Sequence, residues 1–152
     1  MSALHIESSA FSDGDEMPKK YGYKNGNISP PLTISGIPSN CKSLVLLMDD
    51  PDAKAAVGKV WVHWVLWNIS PDVSEINESS IPSNCEQGTT DFGEIGYGGP
   101  APPDKKHTYI FKLYALNSKL DIPSGSDKYQ VEDAMKNNIL EETILTGTYE
   151  PQ

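Results

Sequence analysis

The sequence predicts a mainly β protein: a β-sandwich-like fold with one or two small helices at its periphery. Three observations carry this. Aromatic and β-branched residues gather into a few runs of strand length. The 12 glycines and 12 prolines fall between those runs, and only one stretch has a clear helical period. A length of 152 residues suits one domain over 1–152. At that size a chain buries roughly 68–70% of its unfolded surface and needs no staples.

The elements follow in chain order. "LHIESSAF" near the N-terminus is the first strand candidate. Residues 18–40 are punctuated by Gly and Pro and read as irregular. "SLVLLMD" (43–49) is a short apolar run stopped by acids and Pro51, which predicts a buried strand. "KVWVHWVLWNI" (59–69) is largely apolar on both alternating faces, so it should be a central strand covered on both sides. Within "VWVHWVLWNI" (60–69) the polar exceptions are His63 and Asn68. Residues 70–106 exceed an ordinary connection and predict either a functional loop or short elements of their own. "HTYIFKLYAL" (107–116) puts His107, Tyr109, Phe111, Leu113 and Ala115 on one face. The helix is expected over 128–142. Asp127 is placed to cap it and Gln130 to complete a capping box. Val131, Ala134, Met135, Ile139 and Glu142 share one side, and Gly147 lies beyond the end.

The formal net charge is −9, from 12 basic and 21 acidic side chains. That argues against nucleic acid, whose phosphates need clustered Lys and Arg, and against simple docking on anionic membranes. A local pocket can still hold an anion through backbone N–H groups and histidine. The N-terminus carries acids and no signal-peptide core, and no stretch has the length of a transmembrane span. A soluble cytoplasmic protein is expected, with Cys41 and Cys85 as reduced thiols.

Few motifs survive inspection. In "FGEIGYGGPAPP" the prolines that follow the glycines rule out the strand–turn–helix context of a dinucleotide fingerprint. Two readings of this stretch stay open: a tight turn that only joins strands, or a rigid loop whose Gly98 and Gly99 let backbone approach a ligand. No GxSxG elbow, HxxxH or CxxC occurs, so neither a nucleophile–base set nor a metal site is expected. "DDPDAK" (49–54), His63 and His107 remain. A single histidine in an apolar strand is usually a satisfied core residue. Two of them, one per strand candidate and with an acidic turn before one, group Asp50, His63 and His107 as a polar pocket at one end of the fold.

"DDPDA", "VHWVLWNI" and "GYGGPAPPDKKHTYIFKLYAL" occur in that order, with "NGNISPPLTISGIP" before them and "LTGTY" near the end. In this the chain resembles the phosphatidylethanolamine-binding protein family, which includes the Raf kinase inhibitor-like proteins, and in particular its bacterial and archaeal branch. The resemblance implies an antiparallel β-sandwich of Greek-key type. It also implies a small pocket for phosphate-like or phospholipid head groups. Asp50 and Asp52 match the family's acidic turn, His63 the histidine after it, and Trp61 the aromatic two residues earlier. Gly98, Gly99 and Pro100 match the glycine–proline loop, and His107 and Tyr109 the histidine–tyrosine pair that opens a strand. The chain departs from the pattern at Lys54 (proline in the family), Ala101 (cysteine), Thr108 (arginine) and Asn138 (histidine).

The expected function is a non-enzymatic binding module with a regulatory role, without cofactor. His63, His107 and the Gly98–Gly99 backbone would donate to an anion, Asp50 would orient a ring, and Trp61 would supply an apolar side. The alternative is a protein inhibitor of a kinase or serine protease acting through a surface loop. A hydrolase using the histidine pair is the third reading.

Overall fold

In the computed structural model, which describes residues 3–152, the chain is mainly β with few helices. The elements are β1 (His5–Glu7), β2 (Leu32–Ser35), β3 (Ser43–Asp50), α1 (Ala53–Val57), β4 (Trp61–Ile69), β5 (Glu75–Ile76), β6 (Glu86–Thr89), β7 (His107–Leu116), β8 (Gly125–Asp127), α2 (Lys128–Met135) and β9 (Ile139–Tyr149). One sheet has the order β1-β2-β5, the other β8-β6-β4-β3-β7-β9. The named strands pair antiparallel except β6 with β8, which are parallel.

β3 lies between β4 and β7, and all eight of its residues are buried. Its even side chains, Leu44, Leu46 and Met48, join Tyr109, Phe111, Leu113 and Ala115 of β7 in one apolar cluster. Ile6, Leu32, Ile34 and Ile76 of the smaller sheet belong to the same cluster. Val45 and Leu47 point the other way, onto Val131 and Met135 of α2. The period-2 reading of 107–116 is therefore met, with His107 as the first residue of that buried face.

β4 does not alternate simply. Met48 pairs with Trp64 but Asp49 with Val62, which leaves His63 as an extra residue. Accordingly Trp64 packs in the first cluster and Val62 in the second, although both numbers are even. A second register shift separates the pairs Leu44–Ile69 and Leu46–Leu66. There Asn68 has φ 55° and exchanges hydrogen bonds with the Leu120 backbone at 2.9 and 2.8 Å. The two polar residues of "VWVHWVLWNI" thus mark its two irregularities. A bulge re-aims a side chain and interrupts pairing.

The C-terminal third departs from expectation. The capping box is present: Asp127 Oδ1 accepts from Gln130 N, and Gln130 Oε1 accepts from Asp127 N, both at 2.9 Å. The helix, however, stops at Met135 rather than continuing to 142. Asn137 has φ 68°, a left-handed conformation that ends helices. Residues 139–149 form β9 along β7, so Ile139, Glu142 and Gly147 are strand residues. Ile139, Thr143, Ile144, Thr146 and Thr148 are β-branched, and cross-strand packing outweighs an extension of the helical period. Lys128 of α2 is buried and donates to Asp49 Oδ2 at 2.6 Å, with Lys112 Nζ at 3.0 Å from the same oxygen. This ion cluster fastens the helix to the sheet. Cys41 and Cys85 are both free thiols.

Candidate functional site

Antiparallel pairing brings three strand ends together: the last residue of β3, the first residues of β4, and the first of β7. Asp50, Trp61, His63 and His107 therefore meet although 57 positions separate the first from the last. Asp50 ends β3 and its Oδ1 accepts from Ala53 N at 3.2 Å, which turns the chain into α1. Asp52 Oδ2 accepts from Thr108 N at 2.8 Å. Asp52 is thus a strut between the acidic turn and β7 rather than part of the cavity wall.

His107 is clamped between two carboxylates. Its Nδ1 lies 2.7 Å from Asp50 Oδ2 and its Nε2 2.7 Å from Asp104 Oδ1. The imidazole and Asp50 are almost fully buried, while Asp104 is 41% exposed. Burial alone would push the His107 pKa down. The bonds to Asp50 and Asp104 together outweigh it, so the pKa is raised. Two N–H donors facing two carboxylates describe an imidazolium.

His63 is the opposite case. Its Nδ1–H donates to the Gly98 carbonyl at 2.6 Å, and Gly98 N–H returns a bond to the His63 carbonyl at 2.9 Å. Desolvation lowers its pKa more than these contacts raise it. Near neutral pH the ring is uncharged and Nδ1-protonated, which leaves Nε2 as an acceptor. The ring stands edge-on to Phe92 and Tyr109, with centroids 5.4 and 5.1 Å away.

The glycine loop works differently from the expectation that its backbone donates to an anion. Gly98 N–H is taken by His63, and Gly99 N–H by Asn27 Oδ1 at 2.7 Å. A Cβ on Gly98 would lie 2.3 Å from the Phe92 ring, and one on Gly99 2.1 Å from the Tyr21 carbonyl oxygen. The glycines permit close packing of protein on protein. Pro100 is also structural, its carbonyl accepting from Tyr23 N at 2.9 Å. Tyr109 is fully buried below the site with its hydroxyl unpaired. Burial, and then the nearby Asp50 charge, raise its pKa far above the ordinary phenol value.

A cavity of about 240 Å³ opens at this corner. Asp50, Trp61, His63 and His107 line it, as do Ala53, Ala56 and Val57 of α1, Phe92, Ala101 and Pro103. Asp52, Gly98, Gly99, Pro100 and Tyr109 do not. Sequence reasoning missed α1, read as a turn although "DAKAAV" is alanine-rich after a possible cap. It missed Phe92 as well, whose ring sits edge-on to Trp61 and stacks on Tyr23 at 4.4 Å. Asp104 carried no signal beyond its place three residues before His107. The lining is mostly apolar, and its polar side chains, Asp50, His63 and His107, are all buried. Among the described residues, no group of three or more His, Cys, Asp or Glu side chains is placed to hold a metal ion. No helix among them is long and apolar enough to cross a membrane.

Known proteins share this architecture. The sequence model of the phosphatidylethanolamine-binding protein family matches residues 7–150. The UPF0098 protein of Methanothermobacter thermautotrophicus is 42% identical over 151 residues, covering 96% of this chain and 98% of its own. That of Chlamydia muridarum is 45% identical over 149 residues, covering 97% and 99%. Among solved structures, a Chlamydia trachomatis homologue of phosphatidylethanolamine-binding protein superposes with a TM-score of 0.93 at 42% identity, over 100% of both chains. Escherichia coli YbcL gives 0.90 at 31% identity, over 98% of this chain and 99% of that one. The chain belongs to the phosphatidylethanolamine-binding protein family.

Proposed function

We propose that the cavity binds the phosphate-bearing head group of a small ligand or phospholipid, and that the protein is a binding module with a regulatory role rather than an enzyme. The observation that carries this reading is the convergence of His63, His107 and Asp50 on the floor of one small apolar-walled cavity. A volume of about 240 Å³ lies below the usual range for drug-sized ligands, roughly 300–1,000 Å³. It suits a head group, with any lipid chain left outside. The His107 imidazolium favours an anion. Asp50 beside it favours a ligand that also carries an amine, such as phosphoethanolamine. Trp61 and Phe92 offer apolar contact to the intervening carbons.

No Ser, Thr or Cys lines the cavity, and the His63 and His107 Nδ1 atoms are both committed to protein acceptors. That supports binding over covalent catalysis. The shared apolar cluster of the two sheets supports a face-to-face sandwich. Two free thiols support a reducing compartment such as the cytoplasm.

Calorimetric titration with inorganic phosphate and phosphoethanolamine tests the reading. Binding should strengthen as pH falls, because protonation of His63 converts Nε2 from an acceptor to a charged donor. His63→Ala should abolish that acid-side gain. Absence of binding to both ligands at pH 5 and pH 7 contradicts the proposal.

A further inference from the structure

The two nitrogens of His107 are equivalent in chemistry but not in setting. Asp50, on Nδ1, is anchored by a second bond to Ala53 N and has 4% side-chain exposure. Asp104, on Nε2, is 41% exposed, and apart from His107 only backbone N–H groups of its own turn, those of Asp104 and Lys105, stabilise its carboxylate. It sits on the turn between Pro103, which lines the cavity, and Lys105. Its partner His107 also lines the cavity. Asp104 is therefore a part-exposed carboxylate next to the cavity-lining Pro103, bonded to a cavity-lining imidazole and within reach of water.

Charge counting decides what an incoming anion meets. The charged groups facing His107 are Asp50 from β3 and Asp104 from its own turn, with the Tyr109 ring 6.4 Å away between centroids. Neutral His63 from β4 stands across the cavity. Asp52 lies beyond on Thr108 N, and Lys105 and Lys106 are exposed on the turn. Taken as an imidazolium with two carboxylates, the floor already carries one negative charge too many, and His107 has no N–H left to give. An added phosphate would be repelled and would find no charged donor. Exchange eases both problems: the phosphate takes the Nε2–H as Asp104 leaves, and the departing carboxylate removes one negative charge from beside the ring.

We propose that Asp104 is the resident ligand of the anion site, holding His107 Nε2 in the free protein and setting affinity and selectivity because any anionic ligand must displace it. This rests on the pocket reading above. A tethered competitor acts at an effective concentration on the order of millimolar or more. It lowers apparent affinity by the fraction of molecules in which the site is free. The site should therefore prefer ligands that bond to His107 more strongly than a carboxylate does. Phosphate groups, with more acceptor oxygens than a carboxylate, meet that condition, and acetate does not.

The experiment compares the parent with Asp104→Ala and Asp104→Asn. Each is titrated at pH 7 with inorganic phosphate, phosphoethanolamine, a short-chain phosphatidylethanolamine and acetate. The His107 ring ¹⁵N signals are followed alongside. Asp104→Ala should bind phosphate about tenfold more tightly, since one competing charged bond is gone. Asp104→Asn, which keeps a neutral acceptor, should fall between the two. Acetate should bind detectably only to Asp104→Ala. In all three proteins phosphate should move the His107 Nε2 signal more than the Nδ1 signal. The free and lipid-borne forms of phosphate are separated by which of the two phosphoethanolamine ligands binds the more tightly. Equal or weaker phosphate binding by a folded Asp104→Ala overturns the role of Asp104 and leaves the pocket standing. Absence of phosphate and head-group binding by all three proteins overturns the pocket, and this inference with it. A thermal melt of each variant establishes that it is folded. Should Asp104→Ala not fold, Asp104→Asn carries the same comparison.

Discussion

Replacing Asp50 by Asn keeps the shape of the site and removes one charge. In the parent, Oδ2 faces His107 Nδ1 at 2.7 Å and Oδ1 accepts from Ala53 N at 3.2 Å. An amide has one acceptor oxygen and one NH₂ group, so it can satisfy only one of these two donors and must present N–H to the other. The charged bond to His107 is worth about 1.5–3 kcal/mol, and leaving a buried donor unmatched costs about 1–3 kcal/mol. His107 limits the damage by giving up its proton, which places the total at about 3 kcal/mol, the lower edge of the range for breaking a buried ion pair. At about 2–4 °C per kcal/mol for a chain of this size, the melting temperature should fall by about 6–12 °C.

The pH dependence has a definite sign. The folded-state pKa of His107 is raised, so the stability it contributes is full below the unfolded value of about 6.5 and is lost as pH rises through the folded value. Asp50→Asn should therefore cost more at pH 6 than at pH 9. Urea denaturation at the two pH values measures this. A loss below about 1 kcal/mol, or an equal loss at both, would refute the charged clamp.

Three further outcomes are expected. His63 has a lowered pKa from burial, so its contribution is present above an unfolded value of about 6.5 and is lost as pH falls through the folded value. His63→Phe should flatten the acid limb of the stability curve between about pH 6.5 and 5, and an unchanged limb in urea titrations would contradict this. Gly99→Val should destabilise by more than about 2 kcal/mol through collision with the Tyr21 carbonyl, seen as a lower melting temperature; a variant as stable as the parent would show that the loop is slack. Asn137→Ala should cost about 1 kcal/mol because the position is left-handed, whereas Asn137→Gly should be nearly neutral. Equal melting temperatures for those two would show that the turn does not limit stability.

How far the sequence could be read follows from which interactions are local. The strands at 43–50 and 107–116 were legible because burial on one or both faces imposes a period that a sequence displays. The capping box was legible because it joins residues three apart. The helix end was not. Apolar residues at 139 and beyond fitted a helical period as well as a strand, and only pairing with β7 decides between them. His63 and Asn68 stood out in their apolar run, yet that each marks a register shift depends on β3 opposite.

The site shows the same division. Asp50, Trp61, His63 and His107 were picked by residue type, and the strand register brings them together. Gly98 and Gly99 were assigned backbone donors that the fold gives to His63 and Asn27 instead. Whether an N–H is free is a tertiary fact. Phe92 and Asp104 lie in the long stretch between β6 and β7, where no period ranks one residue above another.

The central claim is that a phosphate group binds on the cavity floor at His63 and His107. A crystal structure of the protein soaked with phosphoethanolamine tests it directly. A phosphorus atom is expected between His63 Nε2 and His107 Nε2, with the ligand's amine toward Asp50 and the Asp104 side chain turned out to solvent. An empty cavity at a saturating soak, or a ligand bound only elsewhere on the surface, would contradict it.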